Sequence, residues 1–182
     1  MDELNMSAKE QKDVVEKYRV IDFNFLIGFK PDQGTSAGDY EELYNGEMRW
    51  PVPGFHNISS PFGMRIHPIK KVPTMHYGID IPAPEGINIV APADGLVHSL
   101  SRSEAVGLTM EIDHGTNERG QRIKTRYCHL SDNVARPGQK VKAGEVVAKV
   151  GNTGYLTTGA HLHFEVYVDG VCHDPAIFFQ TR

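Results

Sequence analysis

The sequence predicts a mainly β protein, built from antiparallel sheet as a sandwich or half-barrel, with a short helix in an N-terminal extension. Three observations predict it. Glycine and proline number 18 and 11 in 182 residues, enough to punctuate many short strands. From residue 87 onward, short apolar runs recur between turn-forming clusters. Asp169-Gly170, a favoured two-residue hairpin turn, separates two such runs.

The elements follow in chain order. Ser7 and Glu10 make a capping-box pattern ahead of "QKDVVEKYRV", which predicts a helix over 7–19. "IDFNFLIGF" reads as a strand or packed extended segment, and "KPDQGTSAGD" (30–39) as turn and linker. Trp50 and the prolines of "MRWPVPGF" suggest a rigid lead into the main domain. The expected division is therefore an extension over 1–48 and one domain over 49–182. "INIVAPADGLVHSLS" (87–101) reads as strand, turn, strand. "LTMEIDHG" (108–115) and "IKTRYCHLS" (123–131) read as strands flanking a polar loop. "QKVKAGEVVAKVG" (139–151) reads as short strands about a glycine turn, and "HLHFEVYVDGVCHDP" (161–175) as a hairpin.

Charge excludes some functions. Residues 1–50 carry 6 Lys/Arg against 11 Asp/Glu, a net of −5; residues 51–182 carry 13 against 12, a net of +1. Neither part is a basic patch, so no nucleic-acid partner is expected. The best apolar run, "VIDFNFLIGF" (20–29), is too short to span a bilayer and is broken by Asp22 and Asn24. The polar start "MDELNMSAKEQKD" is not a signal peptide. Cys128 and Cys172 fit no zinc spacing and no disulfide framework; small buried residues are expected, with a single disulfide the alternative.

The chemistry lies in the histidines. In "GAHLHFEV", alternation puts His161, His163 and Glu165 on one strand face and Leu162, Phe164 and Val166 on the other. Two imidazoles on one face suggest a shared metal or reacting group. In "MHYGIDIPAP", an extended chain sets His76, Gly78 and Asp80 on one face, and the glycine leaves room above the strand for a cation. His76, Asp80 and one of His161 and His163 give two imidazoles and a carboxylate, a set that suits zinc with one position open to water. Such a charge balance brings the water pKa to about 7. In "TRYCHL", Thr125, Tyr127 and His129 share a face by alternation, so His129 is a further strand histidine for proton transfer or oxyanion stabilisation. Glu165 is expected as a brace to the site or as a solvated charge, and Arg65 as a brace or a structural ion pair. His67 is expected at a structural or rim position, His114 in a turn, and His56, His98 and His173 at surface or packing positions.

These motifs together resemble the lysostaphin-type, or LytM-domain, zinc metallopeptidases that cut the peptide part of bacterial peptidoglycan. "HYGID", "YCHL" and "HLHFE" occur in the family's order, flanked by "SSPFGMRIHP", "APADG" and "GNTGYLTTG", and the likeness covers about residues 50–179. The resemblance implies one catalytic Zn²⁺ held by His76, Asp80 and His163, with His129 and His161 as the catalytic histidines. It also implies a groove walled by loops over a β-sheet; in some family members an upstream residue takes the fourth metal position, for which Asn57 or a residue of the extension is a candidate that the spacing does not demand. The implied substrate is a peptidoglycan stem or cross-bridge, met in the cell wall or periplasm; with no export signal visible, the expectation is a fragment of a longer protein, an upstream anchor, or delivery by a phage or conjugation apparatus. A non-catalytic wall-binding relative would be expected to lack some ligands, and all five motif residues are present. "VKAGEVVAKVG" also resembles lipoyl and biotinyl carrier domains, but no lysine stands at a tight hairpin tip.

Overall fold

The computed structural model describes residue 44 and residues 46–69 and 71–179. The helix expected over 7–19, the extended segment after it and the linker at 30–39 lie outside the described residues. β1 (Gly63–Ile66) and β2 (Pro73–His76) form a separate hairpin. β3 (Ile79–Pro82), β5 (Gly95–Ser103), β6 (Gly107–Thr116), β7 (Arg122–Leu130), β9 (Lys140–Val141), β11 (His161–Val168) and β12 (Val171–His173) make the main antiparallel sheet, in the order β12-β11-β7-β6-β5-β9. β3 pairs with the first half of β11, on the edge whose second half pairs with β12. β4 (Asn88–Val90), β8 (Asp132–Asn133) and β10 (Val146–Lys149) form a small sheet in the order β4-β10-β8. A 3-10 turn, Pro175–Phe178, is capped by Asp174, whose carboxylate accepts from the Ala176 N–H.

Alternation explains the layering. Leu162, Phe164 and Val166 of β11 are fully buried, as are Met110 and Ile112 of β6, Tyr127 of β7 and Val97 of β5. They join Ile89, Val147 and Ala148 from the small sheet, and Val150 just beyond it, in one apolar cluster. Each large apolar side chain so buried is worth about 1.5–3 kcal/mol. Tyr127 meets Phe164 edge to face at 5.3 Å between centroids. Tyr44 and Met48, ahead of the tryptophan lead-in, are buried in the same cluster, and Met48 bridges to Phe179. The expected hairpin forms with Asp169 at φ 50° and Gly170 at φ 76°, the pair of positive angles that suits the twist of the flanking strands. Cys128 and Cys172 are both free thiols.

His114 departs from its expected turn role. It lies inside β6, 1% exposed, with Nδ1 2.8 Å from the Asp94 carbonyl and Nε2 2.8 Å from the Thr125 hydroxyl. Burial pulls its pKa down to about 4, against the opposing pull of the Asp94 carbonyl and the Asp113 charge. The imidazole is therefore neutral in the folded chain where the unfolded chain binds a proton. The sign follows: the unfolded state takes up more protons below 6.5, so stability falls as pH drops from 6.5 towards 4. The loss from this group is at most roughly 3 kcal/mol. His114→Gln, which keeps hydrogen-bonding capacity, is expected to flatten this part of the pH dependence, read as the difference between variant and parent denaturant midpoints across pH 4–7.

Candidate metal centre

The centre forms where β11 lies between β3 and β7. Register places His163 directly opposite Asp80 on one side and opposite Cys128 on the other. His76 ends β2, and the chain turns at Tyr77-Gly78 before starting β3. His76 and Asp80 thus stand on two strands, where one continuous extended run was expected. The turn folds His76 back until its Nε2 is 3.2 Å from Asp80 Oδ1. Gly78 leaves no space for a cation above it. A Cβ there would strike the Phe164 carbonyl oxygen and come within 3.0 Å of the His163 ring. The glycine lets β11 approach the turn, and so sets how close His163 can come to His76.

His76 Nε2, Asp80 Oδ1 and His163 Nδ1 converge, and these residues form the described His/Cys/Asp/Glu cluster able to hold a metal. The pairwise separations are 3.2 Å for His76–Asp80, 3.1 Å for His76–His163 and 2.8 Å for His163–Asp80. Zinc bonds of about 2.0–2.1 Å at tetrahedral angles set donor atoms about 3.3 Å apart, so the set fits that ion. The ring partners fit as well. His76 Nδ1 is 2.8 Å from the Pro61 carbonyl and His163 Nε2 is 2.9 Å from Glu165 Oε1. Each contact takes up the ring N–H and leaves the other nitrogen as a lone pair aimed at the carboxylate. Three acceptors facing one another call for a cation. Without a metal a proton meets the demand: burial lowers the His163 pKa, but Asp80 and Glu165 more than offset this and raise it to about 9. Burial likewise works to raise the Asp80 pKa, yet hydrogen bonds and charge from His163 and His76 hold it far below the usual carboxylate range. Arg65 adds a cation 3.6 Å from Asp80 Oδ2, in keeping with a bracing role.

His129 and His161 stand beside the cluster, 4.9 Å apart between ring centroids, with His129 6.2 Å from His163. His161 reaches there by alternation along β11, its Nε2 3.6 Å from Asp80 Oδ1 and its Nδ1 2.7 Å from the Gly159 carbonyl. His129 does not arrive by alternation. Thr125 and Tyr127 point into the interior, so a regular strand would carry His129 there too. Instead β7 has a bulge: Leu108 faces Leu130 and Met110 faces Tyr127, so Cys128 and His129 together oppose Thr109. His129 takes φ 62°, a left-handed conformation uncommon for a side chain with a Cβ. The bulge turns His129 to the site and leaves Leu130 in the core. Its Nδ1 is 2.8 Å from the Thr153 carbonyl, which leaves Nε2 as the free lone pair. Thr153 is itself pinned, its hydroxyl donating to the Leu130 carbonyl and accepting from the Leu108 N–H. Burial, with help from His163 and His161, pulls the His129 pKa down to about 4, so the ring is neutral near pH 7.

Glu165 is not a solvated charge. It is 2% exposed and holds His163 from behind. Of the other histidines, His67 Nδ1 accepts from the Ile69 N–H in the β1–β2 turn, and His56 is exposed beside Trp50. His98 and His173 are half-buried and lie outside the metal-capable cluster, and Asn57 is exposed.

Comparison with known proteins identifies the family. The model of peptidase family M23 matches residues 74–175, a span that includes all five motif residues. Peptidoglycan DD-endopeptidase ShyA of Vibrio cholerae is 36% identical over 131 residues, 71% of this chain and 29% of its own length. The crystal structure of a zinc-containing peptidase from Vibrio cholerae superposes with a TM-score of 0.62 at 34% identity, covering 74% of this chain and 39% of that one. The catalytic domain of lysostaphin from Staphylococcus simulans gives a TM-score of 0.58 at 27% identity, over 68% of this chain and 91% of that one. The chain spans under a third of the length of the curated relatives it matches. On the family match and this shared fold, the chain belongs to peptidase family M23.

Proposed function

We propose that the chain is a zinc-dependent endopeptidase acting on peptide stems or cross-bridges of bacterial peptidoglycan, with residues 49–182 as the catalytic unit. The observation that carries this reading is the convergence of His76 Nε2, Asp80 Oδ1 and His163 Nδ1 with two further imidazoles beside them. The name of the Vibrio cholerae relative, a peptidoglycan DD-endopeptidase, supports the substrate class. That substrate lies outside the cytoplasm, so the site of action is the cell wall or periplasm. Among the described residues no helix is long and apolar enough to cross a membrane.

In this reading His76, Asp80 and His163 are the ligands. A zinc ion bound there supplies Lewis-acid polarisation of the scissile carbonyl and a water acidified enough to attack near neutral pH. His129 and His161 share proton transfer and the steadying of negative charge on the carbonyl oxygen. Each is oriented for this by a backbone acceptor at Nδ1, Thr153 and Gly159 respectively, so that Nε2 faces the reacting atoms. Arg65 offsets the charge of the Asp80 oxygen turned towards it.

Metal analysis and digestion of defined muropeptides, with new termini identified by mass spectrometry, test the reading. Bound zinc and chelator-sensitive cleavage are expected; a zinc-free protein with no such cleavage overturns it. His163→Ala is expected to abolish both zinc binding and turnover, and stoichiometric zinc in that variant would reject its role as ligand. His129→Ala is expected to retain zinc while turnover falls by roughly 10²–10⁴. A near-parental rate would remove His129 from the chemistry.

A further inference from the structure

Behind the metal centre the main sheet carries a row of charge. Register sets Glu165 of β11 opposite Arg126 of β7, and Arg126 opposite Glu111 of β6. All three are buried, at 2%, 5% and 8% exposure. Taking charges out of water costs several kcal/mol for each ion, and an apolar row of the same size would often be at least as stable. Stability alone is therefore a weak reason for this row, and its geometry supplies a better one.

Glu165 uses both carboxylate oxygens. Oε1 is 2.9 Å from His163 Nε2; Oε2 accepts from the Tyr167 hydroxyl at 2.6 Å and lies 3.7 Å from Arg126 Nη1. The carboxylate is thus fixed from three directions. The His163 ring is fixed in turn, by Glu165 at Nε2 and by the close approach of Gly78 at Cε1 and Nε2. Only Nδ1 is left to face His76 Nε2 and Asp80 Oδ1. A ring without that hold could rotate and offer either nitrogen.

We propose that Glu165, locked by Tyr167 and Arg126, is the positioning residue of the metal centre: it fixes His163 so that Nδ1 is the ligating atom, and its buried negative charge strengthens that ligand. This inference rests on the zinc reading above. Glu165 touches neither the substrate nor the ion; it acts through the His163 ring, and Tyr167 and Arg126 act through Glu165.

The test is zinc affinity of the full chain, measured by competition with a chromogenic chelator at fixed pH. It is paired with far-UV circular dichroism to confirm folding and with visible absorption of the cobalt-loaded protein. Glu165→Gln keeps the size and loses the charge; zinc affinity is expected to fall 10–100-fold with the fold retained, and the cobalt bands to shift. Tyr167→Phe removes one hydrogen bond to the carboxylate and is expected to weaken zinc binding by a smaller factor. A folded Glu165→Gln protein with parental zinc affinity and an unchanged cobalt spectrum overturns the proposal. Should Glu165→Gln fail to fold, Tyr167→Phe decides: parental affinity and spectrum in that variant overturn it, and weaker binding with a shifted spectrum supports it. A parent chain that binds no zinc overturns the function reading and this inference together. Zinc binding by the parent with no loss in either variant overturns this inference alone.

Discussion

The site depends on the double pairing of the strand His161–Val168. On one side it pairs with the short strand that carries Asp80, on the other with the strand that carries Arg126, Cys128 and His129. Sheet register is quantised, and a slip of one residue would send every side chain of the strand to the opposite face. The burial of Leu162, Phe164 and Val166 makes such a slip costly, since each would leave the core. The apolar face thus fixes the register, and the register sets His163 opposite Asp80. Core packing and metal geometry are two faces of the same strand.

The electrostatics follow from that placement. Asp80, Glu165 and Arg126 are buried and His163 is partly so, in a small volume where unpaired charge is expensive. Each is therefore paired: Asp80 with two imidazoles and Arg65, and Glu165 with His163, Tyr167 and Arg126. The arrangement leaves a focus of negative potential at Asp80 Oδ1, into which two ring nitrogens also point. A cation fulfils that focus, and the rest of the network is already satisfied without it.

What the sequence reveals follows the range of the interaction. Alternation is local, so the opposed faces of "HLHFEV" and the hairpin at Asp169-Gly170 are legible from the residues alone. The strand regions from 87 to 175 are legible for the same reason, because Gly and Pro punctuate them. The choice of His163 over His161 as a ligand is not local: it is implied by the motif resemblance alone, while the register that sets His163 opposite Asp80 joins strands far apart in the chain. The role of Gly78 is hidden for a similar reason. Its neighbour, the Phe164 carbonyl, is remote in sequence, so a gap in the side-chain pattern looked like space for an ion. His114 and Glu165 are polar residues whose burial is set by strands far along the chain, and the signal for Glu165 was limited to its sharing a face with the histidine pair.

His129 is the instructive case, because it lies beside the cluster although the alternation expected to put it on a strand face fails. A regular strand gives one face alternate residues only. Here Tyr127 and Leu130 are both needed in the core, and they are three residues apart. No regular strand can bury both, so one extra residue must be absorbed between them. The bulge absorbs it and delivers His129 to the site face in the same step, at a backbone cost of about 1–3 kcal/mol for the left-handed conformation. The His129–Thr153 hydrogen bond and the hold on Thr153 from Leu108 and Leu130 offset part of that cost. Gly107, at φ 67°, completes the hold, because any Cβ there would collide with Thr153. A strained residue kept in place by this many neighbours is the pattern expected where position matters more than stability.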